Sequence, residues 1–349
     1  MPRRAVLALV GALVVLVAGL AAFRLVDRGT PLQRALELVP DGTSRAAWTD
    51  WAGVRAELGA DVGEDSDAAA VDAFLADAFS RDLSSMSALG TSAGVMQEQL
   101  GISPATLDWE LLAQSGDGAV EAMGVGDDGD LGALADRLLA LGWTEPEEDD
   151  GVWVGGPDVL SGVGPMLTPE LQHFALLGDR GVVLASDQAP FLEQVLEVVR
   201  GDADAADDLA DLAGALEEPL AAAVYDGAHA CEELAMSQAD DDAQAEADQL
   251  VAAAGGVHPL TGFAMGLRPG GDVRGVLQVE DADDAAGDAE ARAQLAAGPA
   301  PGQGGDFTDR FSVQGASSDG REITLDLRPR DGEYVLSDLT SGPVLFATC

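Results

Sequence analysis

The sequence predicts an α+β fold: a single N-terminal transmembrane helix, then an extracytoplasmic body built as two related α+β halves with antiparallel sheets. Three observations predict it. Residues 5–23 form an apolar run without one charged side chain. Beyond it, short apolar runs bounded by Gly, Pro and Asp alternate with segments of helical period. Finally, two stretches opening at Ala46 and Ala222 share a pattern.

The first 28 residues read as an anchor. Arg3 and Arg4 precede the run AVLALVGALVVLVAGLAAF, and Arg24, Asp27 and Arg28 follow it. At 1.5 Å per residue, the 19-residue run spans roughly 28 Å, close to the ~30 Å hydrocarbon core of a bilayer. A cleaved signal has a shorter core of about 7–15 residues before a small-x-small site. Gly19-Leu20-Ala21 has that form, but the run is long and Arg24 follows at once, so an uncleaved anchor is the expectation. Arginines flank both ends and do not fix orientation. A four-residue tail inside and the bulk of the chain outside is the expected topology.

Residues 29–40 are expected to form a juxtamembrane stalk ending at Pro40-Asp41-Gly42. Residues 45–49 read as a first strand and residues 51–58 as helix. Val71, Phe74, Leu75, Ala78 and Phe79 fall at i, i+3, i+4, i+7 and i+8, one face of an amphipathic helix. Ser103-Pro104 has the form of a helix start. Residues 119–125 read as strand, Leu131, Leu134, Leu138 and Leu139 as helix, and residues 152–154 as a short strand. Residues 174–177 and 182–185 flank a Gly-Asp-Arg-Gly turn as a hairpin; helices are expected over 191–199 and 209–216. A second hairpin joins 263–267 to 273–279 through Arg-Pro-Gly-Gly-Asp. A helix over 285–296, a Gly/Pro/Ala loop over 298–305, and strands near 311–313 and 323–327 complete the chain.

Ala46-Ala47-Trp48-Thr49-Asp50-Trp51-Ala52 leads to Glu57-Leu58, and Ala222-Ala223-Val224-Tyr225-Asp226-Gly227-Ala228 leads, at equal spacing, to Glu233-Leu234. The implied organisation is an anchor over 1–28, a stalk over 29–40, and halves over 41–208 and 209–349. The anchor followed by VPDGTSRAAWTDWAGVRAEL, the stretch GISPATLDWELLAQSGDGAVEAMGV, and GVVLASDQAPFLEQVLEVVRGDADAADDLADLAGALEEPLAAAVYDG together carry a resemblance. They resemble an uncharacterised family of membrane-anchored, extracytoplasmic proteins of high-GC Gram-positive bacteria, over roughly a third of the chain. The resemblance implies an exported, anchored α+β protein of unknown role. It brings no functional residues with it.

Composition removes several chemistries. The formal net charge is −44, and beyond residue 28 there are 14 Arg against 61 Asp and Glu. Such a body is repelled by nucleic acid, so no nucleic-acid partner is expected. The chain contains no Lys and no Asn, which rules out Schiff-base lysines, a phosphate-loop lysine and Ser–Lys dyads. Cys231 and Cys349 are the only cysteines; on the exported side of a membrane they are expected to pair.

The remaining motifs are weak. Gly124-x-Gly126-x-x-Gly129 matches a dinucleotide fingerprint, but Asp127, Asp128 and Asp130 would repel a pyrophosphate. His229 and Cys231 lack the further ligands zinc needs, and the acidic clusters lack calcium-loop spacing, so no metal is expected. Gly90-Thr91-Ser92-Ala93-Gly94 matches a nucleophile elbow, but the Ser-rich stretch before it is a poor central strand. Trp48 and Trp51 are a candidate ligand surface. The expectation is a non-catalytic binding or scaffolding protein, without cofactor, held at the cell envelope by its N-terminal helix. Its expected partner is an envelope protein or glycan. The alternative is a membrane-tethered hydrolase acting on envelope glycans through an acidic pair.

Overall fold

The computed structural model describes residues 29–126 and 129–349. The anchor over 5–23 lies outside the described residues; among those described, no helix is long and apolar enough to cross a membrane. The elements run in the order α1 (Pro31–Leu36), β1 (Thr43–Thr49), α2 (Trp51–Leu58), α3 (Ala68–Ser80), β2 (Trp109–Ser115), β3 (Ala119–Gly124), α4 (Leu131–Leu141), β4 (Trp153–Val154), α5 (Pro157–Val163), β5 (His173–Leu177) and β6 (Val182–Ser186). They continue with α6 (Ala189–Arg200), α7 (Asp207–Gly214), β7 (Ala221–Asp226), α8 (Asp241–Ala254), β8 (Leu260–Leu267), β9 (Val273–Val279), α9 (Ala282–Ala296), β10 (Phe311–Asp319), β11 (Glu322–Pro329) and α10 (Val335–Thr340).

The eleven strands of the described residues join one antiparallel sheet in the order β10-β11-β9-β8-β7-β1-β2-β3-β6-β5-β4. The fold is therefore mixed α+β around a large antiparallel sheet. Outward from its centre, β1-β2-β3-β6-β5 and β7-β8-β9-β11-β10 follow the same strand order, with β4 an extra edge of two residues. Where β1 meets β7, Ala47 lies opposite Ala223, Ala46 opposite Val224 and Trp48 opposite Ala222. Those partners are the sequence-matched residues with their order reversed, as a local two-fold axis through the Ala47–Ala223 pair requires. The matched aspartates do the same work: Asp50 accepts from Gly53 N and Asp226 from His229 N, each capping the turn after its strand.

Side chains alternate across the sheet. Ala46 and Trp48 of β1, Leu111 and Ala113 of β2, and Val120 and Ala122 of β3 enter the core under α1, α6 and α7, on the face called B here. The opposite face, A, is covered by α2, α3, α4, α8, α9 and α10 and holds the larger core.

Three expectations are corrected. Residues 29–40 are not a free stalk. Leu32, Ala35, Leu36, Leu38 and Val39 are buried in the face B core, and Thr30 caps α1 through a reciprocal box with Gln33. Ser103-Pro104 does not start a helix. The Ser103 hydroxyl accepts from Ala105 N and donates to Gln97 Oε1, shaping a turn that reaches β2 within a few residues. Finally, the five-residue apolar face predicted on α3 is cut short: Val71, Phe74 and Ala78 are buried, whereas Phe79 is 60% exposed.

Candidate functional site

The paired cysteines are found together. Cys231 and Cys349 form a disulfide with Cα atoms 5.7 Å apart across 118 residues, so Cys231 is unavailable to a metal. Among the described residues no group of three or more His, Cys, Asp or Glu is placed to hold a metal ion. The glycine fingerprint serves the chain's own packing. A Cβ at Gly124 would fall inside the Trp109 indole, and Gly126, at φ +65°, holds its backbone against the Asp108 carboxylate. Asp127 and Asp128 of that loop lie outside the described residues. Ser92 is no exposed nucleophile. It is buried, and its hydroxyl donates to Met166 O at 3.0 Å and accepts from Thr168 N at 2.8 Å.

Trp48 and Trp51 do not form one surface. Both are buried and they enter opposite faces of the sheet. Trp48 stacks on Trp109 at 5.5 Å in the face B core and donates its indole N–H to Pro219 O at 3.1 Å. Trp51 packs edge-on against Phe74 on face A and donates to Glu110 Oε2 at 2.8 Å. Trp48 does contribute to the wall of a cavity of about 430 Å³ between α1, α2 and the β8–β9 turn. Its apolar floor includes Leu32, Trp48 and Leu220, and Asp50, Glu57 and Glu218 give it an acidic rim. Burial raises the Asp50 carboxyl above its ordinary range; the Gly53 N–H bond opposes this and the Asp108 charge adds to it. The cavity opens beside Thr30, where the described chain begins.

The second feature sequence reasoning missed lies on face A at the sheet centre. In β7, β1, β2 and β3, three cross-strand rows point inward: Tyr225–Arg45–Gln114–Ala119, Ala223–Ala47–Leu112–Glu121, and Ala221–Thr49–Glu110–Met123. Glu110 and Glu121 are both fully buried. Glu110 accepts from Trp51 Nε1, Ser87 Oγ, Ala88 N and Leu89 N, pinning the 87–89 loop over the sheet. Burial still pushes its carboxyl up to about 7, against those hydrogen bonds. Among the described residues Glu121 has no partner at either oxygen, and burial, reinforced by the Glu110 and Glu170 charges, drives it well above the usual range. This pair faces the core, not a cleft.

Among the described residues, Arg45 Nε, Thr49 Oγ1 and the Tyr225 hydroxyl are likewise buried without a hydrogen-bond partner. Tyr225 stacks against two rings, His229 at 5.5 Å and Phe263 at 6.3 Å. Burial pushes its hydroxyl up to about 12, partly offset by the Arg45 charge. The available signal was a charged residue interrupting an apolar strand, Glu121 in AVEAMGV and Arg45 in the first strand.

No family model matches the chain, and no curated protein does. Among solved structures it is similar to the one described as "Structure of crystal form III of TP0453", with a TM-score of 0.38 and 8% identity. That likeness covers 88% of this chain and 97% of that chain.

Proposed function

We propose that this chain is a non-catalytic binding or scaffolding protein held at the cell envelope by residues 5–23, its body outside the membrane. The observation that carries the reading is the cavity under Trp48. It has an apolar floor, a rim of carboxylates that accept hydrogen bonds, and a position beside the chain's exit from the N-terminal segment. An envelope glycan or an envelope protein segment meets both surfaces, with apolar faces on the floor and hydroxyl or N–H donors at the rim.

The equal strand order of the two sheet halves and the two-fold relation at Ala47 and Ala223 support descent from a duplicated α+β unit. In this reading the duplicated unit is a scaffold and the cavity is its acquired function.

The test uses the full chain in living cells. A photo-crosslinking residue at Glu218 on the cavity rim is compared with one at Glu290, exposed on α9. The expected result is a discrete adduct from position 218 and none from 290, together with activity of an exported-only reporter fused after Cys349. A reporter active only in the cytoplasm, or equal labelling from both positions, overturns the proposal.

A further inference from the structure

The chain has 18 Arg against 62 acids, and nearly every described arginine is held by a carboxylate or a backbone carbonyl. Arg45 is an exception. Among the described residues it makes no ion pair and no side-chain hydrogen bond, although it sits half-buried on a central strand with Nε sealed from solvent. Directly across the β1–β7 ladder is Tyr225, 1% exposed, whose hydroxyl has no partner either. Two buried donor groups left unmade, the Arg45 Nε and the Tyr225 hydroxyl, destabilise the fold, and unpaired buried groups of this kind are rare.

Gln114 faces Arg45 across the β1–β2 ladder, but among the described residues neither it nor any carboxylate hydrogen-bonds the guanidinium. The Asp226 carboxylate, next along β7, is turned to cap His229 N at 2.6 Å. Glu121 lies two strands from Arg45, in the next row, and is not paired with it. Tyr225 is in offset stacking with His229, at an interplanar angle of 3°, and with Phe263, at 18°, and these contacts restrict the orientation of its ring. Arg45, Gln114 and His229 are half-buried, so part of each reaches solvent, whereas the Arg45 Nε and the Tyr225 hydroxyl lie beneath them.

We propose that Arg45, Tyr225 and His229 form a binding site for an oxyanion, a carboxylate or phosphate group carried by a small molecule or a larger ligand. The guanidinium presents its planar fork of N–H donors to two oxygens, and the tyrosine hydroxyl donates to one of them from below. The two-fold relation sharpens the assignment. The mate of Tyr225 is Thr49 and the mate of Arg45 is Ala221, so the opposite end of the same strand pair keeps a hydroxyl but lacks the cation. The scaffold therefore does not demand an arginine at this register. This site lies on face A, apart from the cavity under Trp48, and stands or falls independently of it.

The experiment is calorimetric titration of the full chain in detergent micelles with inorganic phosphate and, separately, acetate, at constant chloride. The expected result is saturable binding of at least one probe with Kd of about 1 mM or tighter. Arg45→Gln should weaken it about tenfold or more, as loss of a charge-assisted pair does. Tyr225→Phe should weaken it about threefold or more while leaving the melting temperature unchanged or raised, because it deletes only an unpartnered hydroxyl. Arg321→Gln, at an exposed arginine, should leave the affinity unchanged. Binding of phosphate alone identifies a phosphate-bearing ligand, and binding of acetate alone a carboxylate. Should Arg45→Gln unfold, the Tyr225→Phe comparison decides. No saturable binding of either probe, or wild-type affinity in Tyr225→Phe, overturns the proposal.

Discussion

Glu110 and Glu121 show how differently one sheet face treats two identical side chains. Glu110 completes the hydrogen bonding of a loop; Glu121 completes nothing. Glu110→Ala should therefore cost about 3 kcal/mol, because it strands buried donors on Trp51 and the 87–89 loop. Glu121→Leu, opposite Leu112 and Ala185, should instead stabilise by about 1–3 kcal/mol at neutral pH. Urea denaturation of both variants checks these opposite signs. A pH dependence follows from the same burial. Both carboxyls titrate higher in the folded state than the ordinary 4.5, Glu110 at about 7 and Glu121 well above 4.5. The folded state thus keeps protons that the unfolded chain has released. This stabilisation is complete below pH 4.5 and is lost as pH rises through the folded values. Wild-type stability should fall between about pH 5 and pH 8, and Glu121→Leu should flatten that slope. Equal slopes for the two proteins would contradict the assignment.

At the scale of elements, α3 separates what periodicity reveals from what it cannot. Its apolar spacing gives the helix and its inward direction, but not how far the neighbouring layer extends. Phe74 packs edge-on against Trp51, whereas Phe79, further along the helix, is 60% exposed and meets the ring of Tyr334 at 5.9 Å. Phe74→Ala should cost about 3–5 kcal/mol and Phe79→Ala about 0.5 kcal/mol, measured by thermal melts. The same limit explains the rest of the reading. Both hairpins were legible because Gly-Asp-Arg-Gly and Arg-Pro-Gly-Gly-Asp mark their turns, and the helix at 131–141 because Leu131, Leu134, Leu138 and Leu139 recur at helical spacing. Strand β2 was hidden because Glu110 and Gln114 fall on its inward positions, where a sequence pattern looks for apolar residues. Helix α8 was hidden because alanine supplies its buried face. The site was less legible than the fold. Arg45 and Tyr225 are brought together only by the pairing of two strands far apart in sequence, which no local pattern encodes.

At the scale of the molecule, one device joins the halves and a second closes the C-terminal half on itself, and together they predict one cooperative unit. The first is the β1–β7 ladder, where small residues, Ala47, Ala221 and Ala223, let the helical layers of face A close over the seam. Those layers meet at Asp82, whose Oδ2 accepts from Leu336 N at 2.8 Å and Ser337 N at 3.2 Å. The second is the C-terminal clasp. Fully buried Arg292 donates to Phe346 O at 2.8 Å and Thr348 O at 3.0 Å and pairs with Asp288 at 3.1 Å, while the disulfide ties Cys349 to Cys231. Closing a loop of 118 residues stabilises by about 4–5 kcal/mol in the chain-entropy model. Reduction, or replacement of both cysteines by Ser, should lower the unfolding free energy by that order without changing the number of transitions. The clasp lies wholly within the second half of the sheet, but the continuous ladder and the Asp82 contact pass its loss to the first. Calorimetry of the oxidised and reduced protein should therefore show a single transition in each case, with the reduced one at lower temperature. Two transitions after reduction, with only one displaced, would mean that the halves unfold separately and that the β1–β7 pairing does not couple them.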